Sequence, residues 1–101
     1  MSIKSTIDLV VENEMCSLTG ELTRHTVPTL SIKKLKKVFA AEKIIFNFAD
    51  INKVDTAGLA WVCALLEHAN HKNCQLSFIK MPVQLTKLAK LSAVDTFLPI
   101  K

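Results

Sequence analysis

Four side chains of the types that bind zinc lie within twelve residues of one another: Cys63, His68, His71 and Cys74. Zinc sites usually contain a Cys-x-x-Cys or His-x-x-x-His pair, because that spacing points both ligands at one ion. Neither pair occurs here, and helical periodicity places Cys63 and His68 on roughly opposite faces. We therefore predict no metal site. The two histidines are better explained as residues that end a helix, where positive charge suits the helix dipole.

Thr56 is the remaining candidate nucleophile, because Asp55 precedes it as a possible base. An Asp in front of an apolar helix is more commonly an N-cap that accepts hydrogen bonds from free amides. A phosphate-binding loop requires several glycines, and the chain has only Gly20 and Gly58. We therefore expect a protein that is not an enzyme, has no catalytic residue and uses no cofactor.

A buried strand and a long apolar helix position Thr56. The segment 44–48 is rich in β-branched and aromatic residues and predicts the strand. The helix begins around Asp55 and Thr56, either of which can cap it, and has no charge before Glu67. The small residues Ala57 and Gly58 leave its first turn open to approach.

This helix is apolar on two faces, one of which is expected to pack on the sheet: Leu59, Val62, Cys63 and Leu66. A second stripe lies on the far side: Ala57, Trp61, Ala64 and His68. Because Trp is enriched where interfaces concentrate their energy, we predict that a partner protein covers the second stripe. The alternative is that Trp61 is a core residue beneath the C-terminal tail.

The other segments predict one α/β domain over residues 1–101. The segments 7–11 and 15–18 are apolar and separated by a link of hairpin length, and 74–79 adds a fourth strand. Thr26 is a plausible cap for a helix that extends to Phe39, and a third helix surrounds the leucines of 85–91. The order β-β-α-β-α-β-α predicts a mixed sheet of four to five strands covered by about three helices. A short apolar tail over 96–100 is expected to return to the sheet or to cover an apolar face.

The charged and aromatic residues of the chain indicate which classes of partner it binds. The net charge of +4 comes from 13 Lys and Arg against 9 Asp and Glu, but Arg24 is the single Arg and there is no Tyr. Nucleic-acid readers usually combine Arg with exposed aromatic residues, so we expect no nucleic-acid binding. Four lysines share the outer face of the first predicted helix: Lys33, Lys34, Lys36 and Lys37. We interpret them as a solvated face, with a patch for anions or a membrane surface as the alternative.

The sequence predicts a soluble, cytosolic protein. No charge-free apolar run approaches the ~18 residues that span a bilayer. The first four residues lack the apolar block of a signal peptide. Three cysteines leave an odd thiol under any pairing, so we expect reduced cysteines.

The segment 54–60, Val-Asp-Thr-Ala-Gly-Leu-Ala, resembles the signature of the STAS family, in which a strand leads to an Asp-Ser/Thr-x-Gly-Leu turn that opens a helix. The resemblance extends over nearly the whole chain and includes the Leu-Thr-Gly-Glu-Leu stretch at 18–22. With Leu-Thr-Lys-Leu-Ala-Lys-Leu at 85–91 and a Leu98-Pro99 ending, the chain is similar to the MlaB-type group, the cytoplasmic STAS subunits of the Mla phospholipid transporter.

This resemblance implies a non-catalytic subunit that binds the ATPase subunit of a phospholipid ABC transporter, with its membrane permease in the same complex. Such a subunit stabilises the ATPase or regulates it, and it supports lipid asymmetry of the outer membrane. It is cytoplasmic and peripheral to the inner membrane through its partner, without direct membrane insertion. The contact is expected to centre on Thr56, with Asp55, Ala57 and Gly58 around it, and the helical stripe adds Trp61 and Ala64.

The same family offers an alternative, an anti-sigma-factor antagonist that is switched by phosphorylation at Thr56. Two departures from the family pattern bear on this switch. Thr56 stands where those antagonists usually have Ser, and Asn47 stands where an Asp is expected at the strand end. We therefore rank constitutive docking above a phosphorylation switch. Lipid carriage by the domain itself ranks lower, because a sheet covered by helices in 101 residues leaves little room for a lipid cavity.

Overall fold

The protein forms a four-stranded mixed sheet, seen in a computed structural model that describes residues 6–35, 37–94 and 98. The strands are β1 (Ile7–Glu12), β2 (Met15–Leu22), β3 (Lys43–Val54) and β4 (Gln75–Ile79), and they lie in that order. β1 is antiparallel to β2, whereas β2, β3 and β4 are mutually parallel. The predicted mixed sheet and its opening hairpin are confirmed.

The first predicted α-helix is wrong. The segment from Thr26 to Phe39 instead contains three short 3-10 helices, Val27–Thr29, Ile32–Leu35 and Val38–Ala40. Threonine hydroxyls hold the start of this segment in a different path: Thr26 Oγ1 donates to the Glu21 carbonyl at 2.8 Å, and Thr29 Oγ1 donates to the Thr26 carbonyl at 2.6 Å. Such local side-chain bonds compete with α-helical ones.

The apolar spacing of this segment is nevertheless used, because Leu35, Val38 and Phe39 are buried in the core. Of the four lysines assigned to its outer face, Lys37 is exposed. The side chains of Lys33 and Lys34, and all of Lys36, lie outside the described residues.

Two α-helices, α1 (Thr56–His71) and α2 (Val83–Leu91), pack on one face of the sheet and against each other. α1 connects the parallel strands β3 and β4, and α2, which follows β4, contacts α1 and β3. Phe46 and Phe48 of β3 meet Phe78 of β4 edge-on beneath the helices, with ring centroids 6.3 and 5.4 Å apart. Among the described residues, no helix is both long and apolar enough to cross a membrane.

Of the tail predicted over 96–100, Leu98 alone is within the described residues. It is buried, and it lines a cavity of about 280 Å³ with Cys63 and Leu66 of α1. Leu98 therefore packs over the helical layer.

Candidate functional site

The candidate site lies where β3 ends and α1 begins. Asp55 has an extended backbone (φ −141°, ψ −173°) and is the N-cap of α1. Its Oδ1 accepts from the backbone N–H of Gly58 at 3.0 Å, which confirms the predicted cap and assigns it to Asp55 rather than Thr56. Its Oδ2 accepts from the backbone N–H of Arg24 at 3.0 Å. One carboxylate therefore fixes the start of α1 to the loop that follows β2.

Gly58 is buried where the first turn of α1 passes over the end of β2. A Cβ at this position would lie 2.0 Å from the carbonyl oxygen of Leu22, well inside van der Waals contact. The backbone N–H of Asp55 donates to the same carbonyl at 3.3 Å. Gly58 was predicted as part of the contact surface, but in the structure it faces inward and allows α1 to approach β2.

Thr56 is exposed on the first turn of α1 and lines a pocket of about 360 Å³. Thr23, Asp55 and Ala57 contribute to the wall, together with three residues that bear basic side chains: Arg24, His25 and Lys53. The sequence patterns did not connect these basic residues with Thr56. The sheet brings them together because β2 and β3 are parallel, with Leu22 paired to Val54, so both strands end beside α1.

Hydrogen bonds determine the charge state of Asp55. Burial alone would raise its pKa, but the backbone amides of Arg24 and Gly58 donate to the carboxylate. The backbone amide of Ala57 and the positive charge of Arg24 also lower the pKa. The pKa of Asp55 is therefore held below its usual value. The carboxylate stays negatively charged and acts as a structural acceptor rather than as a base for the Thr56 hydroxyl.

Asp55→Ala is expected to lower the free energy of unfolding by about 1 kcal/mol at neutral pH, because two amides lose their acceptor. Since the folded state lowers the pKa of Asp55, ionisation stabilises the fold above the unfolded value of about 4, and this contribution is lost as pH falls through the folded value. Urea unfolding at neutral and acidic pH should show the difference from wild type shrinking in acid. A difference that stayed constant would contradict this role, and Asp50→Ala, at an exposed carboxylate, is the matched control.

The surface of α1 does not coincide with the predicted outer stripe. Trp61 was expected to be exposed for a partner, and this expectation is wrong. Trp61 is only 4% exposed, and its Nε1–H donates to the Leu30 carbonyl at 2.9 Å. The segment of 3-10 helices covers it, whereas the alternative had expected the C-terminal tail to do so. Half-buried Ala57 and Ala64 remain at the surface, and exposed Ala60, which the pattern missed, lies between them.

The four residues considered for zinc are not brought together. Cys74 is buried, Cys63 is half-buried, and the ring of His68 packs on Phe39 with centroids 5.1 Å apart. The described part of the chain contains no group of three or more His, Cys, Asp or Glu placed to hold a metal ion. Burial raises the pKa of both thiols, and that of the Cys16 thiol to about 12. These cysteines are therefore protonated and weakly nucleophilic at neutral pH.

Comparison with known proteins identifies related sequences and folds. Residues 5–99 match the profile of a family described as "Mlab, STAS domain". The fold is similar to that of a Thermotoga maritima protein proposed to be an anti-sigma factor antagonist, with a TM-score of 0.69 and 15% identity over 93% of this chain and 84% of that one. It is also similar to the anti-sigma factor antagonist SpoIIAA in its unphosphorylated form, with a TM-score of 0.66 and 18% identity over 94% and 87% of the two chains. No curated protein sequence matches significantly. At these identities the two structures establish the fold alone.

Proposed function

Because this chain belongs to the STAS domain family described as Mlab, we propose that it is a non-catalytic subunit of an Mla-type phospholipid ABC transporter. In this role it binds the ATPase subunit, stabilises or regulates it, and thereby supports outer-membrane lipid asymmetry. The chain is held at the cytoplasmic face of the inner membrane by that partner. The observation that carries the proposal is the exposed position of Thr56 at the start of α1, next to the cap formed by Asp55.

The surface around Thr56 is suited to close docking. Ala60 is exposed one turn further along α1, and Ala57 and Ala64 are half-buried beside it. Such small side chains allow a partner to approach the helix closely and cost little conformational entropy when they are covered. Asp55 fixes the first turn from one side through its bonds to Gly58 and Arg24. A partner therefore meets a surface that is already ordered, which reduces the cost of binding.

The buried members of the predicted contact set support this surface from beneath. Gly58 allows α1 to pack closely on β2. Trp61 connects α1 to the segment that contains Leu30 through a hydrogen bond. Direct contact is assigned to Asp55, Thr56, Ala57, Ala60 and Ala64. The proposed effect on the ATPase acts through binding, so no group on this chain is assigned a step in ATP hydrolysis.

Thr56→Glu tests the proposal. The substitution should change the free energy of unfolding by no more than about 0.5 kcal/mol, since the side chain is exposed and a negative charge suits a helix N-terminus. It should weaken partner binding by at least about tenfold, because a longer, charged side chain enters a close contact. The measurement is capture from the native membrane fraction with tagged wild type and variant side by side, followed by mass spectrometry.

Thr56→Ser is the matched control, because it keeps the hydroxyl and removes one methyl group. Wild type and Thr56→Ser should recover an ABC ATPase, and Thr56→Glu should lose it. Equal recovery by all three proteins would show that docking does not involve Thr56 and would reject the proposed site.

A phosphorylation-switched antagonist of an anti-sigma factor is the second candidate. Thr56 shares its pocket with three residues that bear basic side chains, Arg24, His25 and Lys53, and these can stabilise a phosphate. Under this alternative the capture experiment recovers a serine kinase instead of an ABC ATPase, and Thr56→Val abolishes phosphate incorporation by that kinase. Recovery of the kinase alone would replace the transporter proposal.

A further inference from the structure

The outward face of α2 exposes two large apolar side chains to solvent. Val83 and Leu91 are 69% and 85% exposed, the highest values among the large apolar side chains described. They lie at the two ends of the helix, whereas Leu85 and Ala89 on the opposite side are fully buried. The core therefore does not use Val83 or Leu91, and exposed apolar groups of this size are common at interaction sites.

The same face is positively charged. Lys87 and Lys90 are exposed between the two apolar residues, and Lys80 is exposed just before the helix. The sequence contains no Asp or Glu from His68 to Val94, so this segment supplies no carboxylate to neutralise them. Within the described residues the ion pair found is Lys43 with Glu14, at the other end of the sheet. The outward face of α2 is thus both basic and partly apolar.

Lys53 connects this face to the site at Thr56. Lys53 lines the pocket that contains Thr56 and Arg24, and it also lines a second pocket of about 350 Å³ formed with Gln84, Lys87 and Leu88 of α2. The two pockets therefore adjoin, and one surface runs from the start of α1 across the end of β3 onto α2. A partner seated at Thr56 lies beside this surface.

We propose that the protein that docks at Thr56 also covers the outward face of α2, and that its contacting surface is acidic with apolar recesses for Val83 and Leu91. This inference rests on the docking site of the proposed function and adds the chemistry of the partner. Charge complementarity supplies the attraction, because the lysines of α2 meet carboxylates of the partner. The two apolar side chains fix the position of the partner along the helix.

A membrane surface fits these observations less well. Helices that bind in the lipid interface present a broad apolar face, whereas α2 presents two apolar residues about 12 Å apart along its axis, with lysines between them. An acidic protein surface can instead place carboxylates beside these lysines and an apolar recess at each of the two apolar side chains.

The test measures the affinity of this chain for the purified ATPase subunit, which is the partner under the proposed function. Lys87→Glu should weaken binding by at least about tenfold, and Leu91→Ser by about fivefold. The matched controls are Lys72→Glu, at the far end of α1, and Val10→Ser, at an exposed apolar residue of β1. Both should bind within about twofold of wild type. Thermal melts confirm that each variant is folded.

Two further measurements separate the possible outcomes. Raising the salt concentration from about 50 to 500 mM should weaken wild-type binding more than binding by Lys87→Glu.

If Thr56→Glu abolishes binding while Lys87→Glu and Leu91→Ser leave it unchanged, the inference about α2 is wrong and the docking site at Thr56 stands. If Thr56→Glu has no effect, the proposed site itself fails. Binding of wild type to vesicles of phosphatidylglycerol and phosphatidylethanolamine, lost in Lys87→Glu while the protein affinity is unchanged, would overturn the inference in favour of a lipid surface.

Discussion

Gly58→Ala is expected to destabilise the domain by about 3 kcal/mol, which is large for the addition of one methyl group. The new Cβ would lie 2.0 Å from the carbonyl oxygen of Leu22 and 2.9 Å from its carbonyl carbon. Both are backbone atoms of a residue buried in β2, so no rotation of a flexible side chain can relieve the overlap. Either α1 must move away from the sheet or β2 must bend, and both changes open the core beneath Leu59 and Val62.

Chemical unfolding of wild type and Gly58→Ala gives this difference directly. Ala60→Ser is the matched control, because it adds one heavy atom to the same helix at an exposed position and should change the stability by less than about 0.5 kcal/mol. A loss below about 1 kcal/mol for Gly58→Ala would show that α1 shifts easily over β2, against the close packing seen here.

The same substitution should also weaken partner binding by the folded protein, because a displaced α1 no longer holds Thr56 in its docking position. Moving α1 separates Asp55 from the Arg24 amide, which is 3.0 Å away, and from the Leu22 carbonyl. Thr56 then loses its fixed position relative to Lys53 and Arg24. Normal affinity in folded Gly58→Ala would indicate that the partner tolerates a displaced helix start.

Those parts of the fold that local chemistry determines were predictable from the sequence. Alternation and β-branched residues located the four strands, and the Asp-Thr-Ala-Gly turn located the start of α1 with its cap at Asp55. These signals lie inside the observed elements, although β2 and β3 continue to Leu22 and Val54, beyond the predicted segments 15–18 and 44–48. The exposure of Thr56 belongs to this group, since a residue in the first turn after a cap has few neighbours within its own helix.

Features that depend on side-chain rotamers or on distant contacts were not predictable in the same way. The apolar spacing of Ile32, Leu35 and Phe39 fits an α-helix. The segment before Ile32 forms a 3-10 helix instead, and the hydroxyl groups of Thr26 and Thr29 donate hydrogen bonds to backbone carbonyls there. Such bonds depend on rotamers that a residue pattern does not contain.

The sequence did not predict that residues with basic side chains line the pocket at Thr56, for a related reason. Arg24 and Lys53 are far from each other in sequence, and they meet Thr56 because β2 and β3 end in register. Periodicity describes one element at a time, so it does not report which neighbouring loop lies beside the start of α1.

Trp61 shows the same limit on a single helix. A helical pattern shows that the far side of α1 is apolar, but it does not identify what covers that side. In the structure Trp61 lies under the segment that contains Leu30 and is 4% exposed.

Trp61→Ala is therefore expected to lower the free energy of unfolding by about 3 to 5 kcal/mol, as for other buried aromatic residues. Chemical unfolding monitored by circular dichroism measures this loss without relying on the Trp fluorescence that the substitution removes.

Trp61→Phe divides this loss into its two causes. Phenylalanine keeps much of the buried apolar area but removes the indole N–H, so the Leu30 carbonyl loses the donor that lies 2.9 Å from it. This change should cost about 1 to 3 kcal/mol, the usual penalty for an unpaired buried polar group. Because the side chain is covered within the domain, folded Trp61→Phe should bind the partner as tightly as wild type does. Weaker binding at unchanged stability would instead mean that the covering segment moves aside in the complex and that Trp61 contacts the partner, as its place in the helical pattern first predicted.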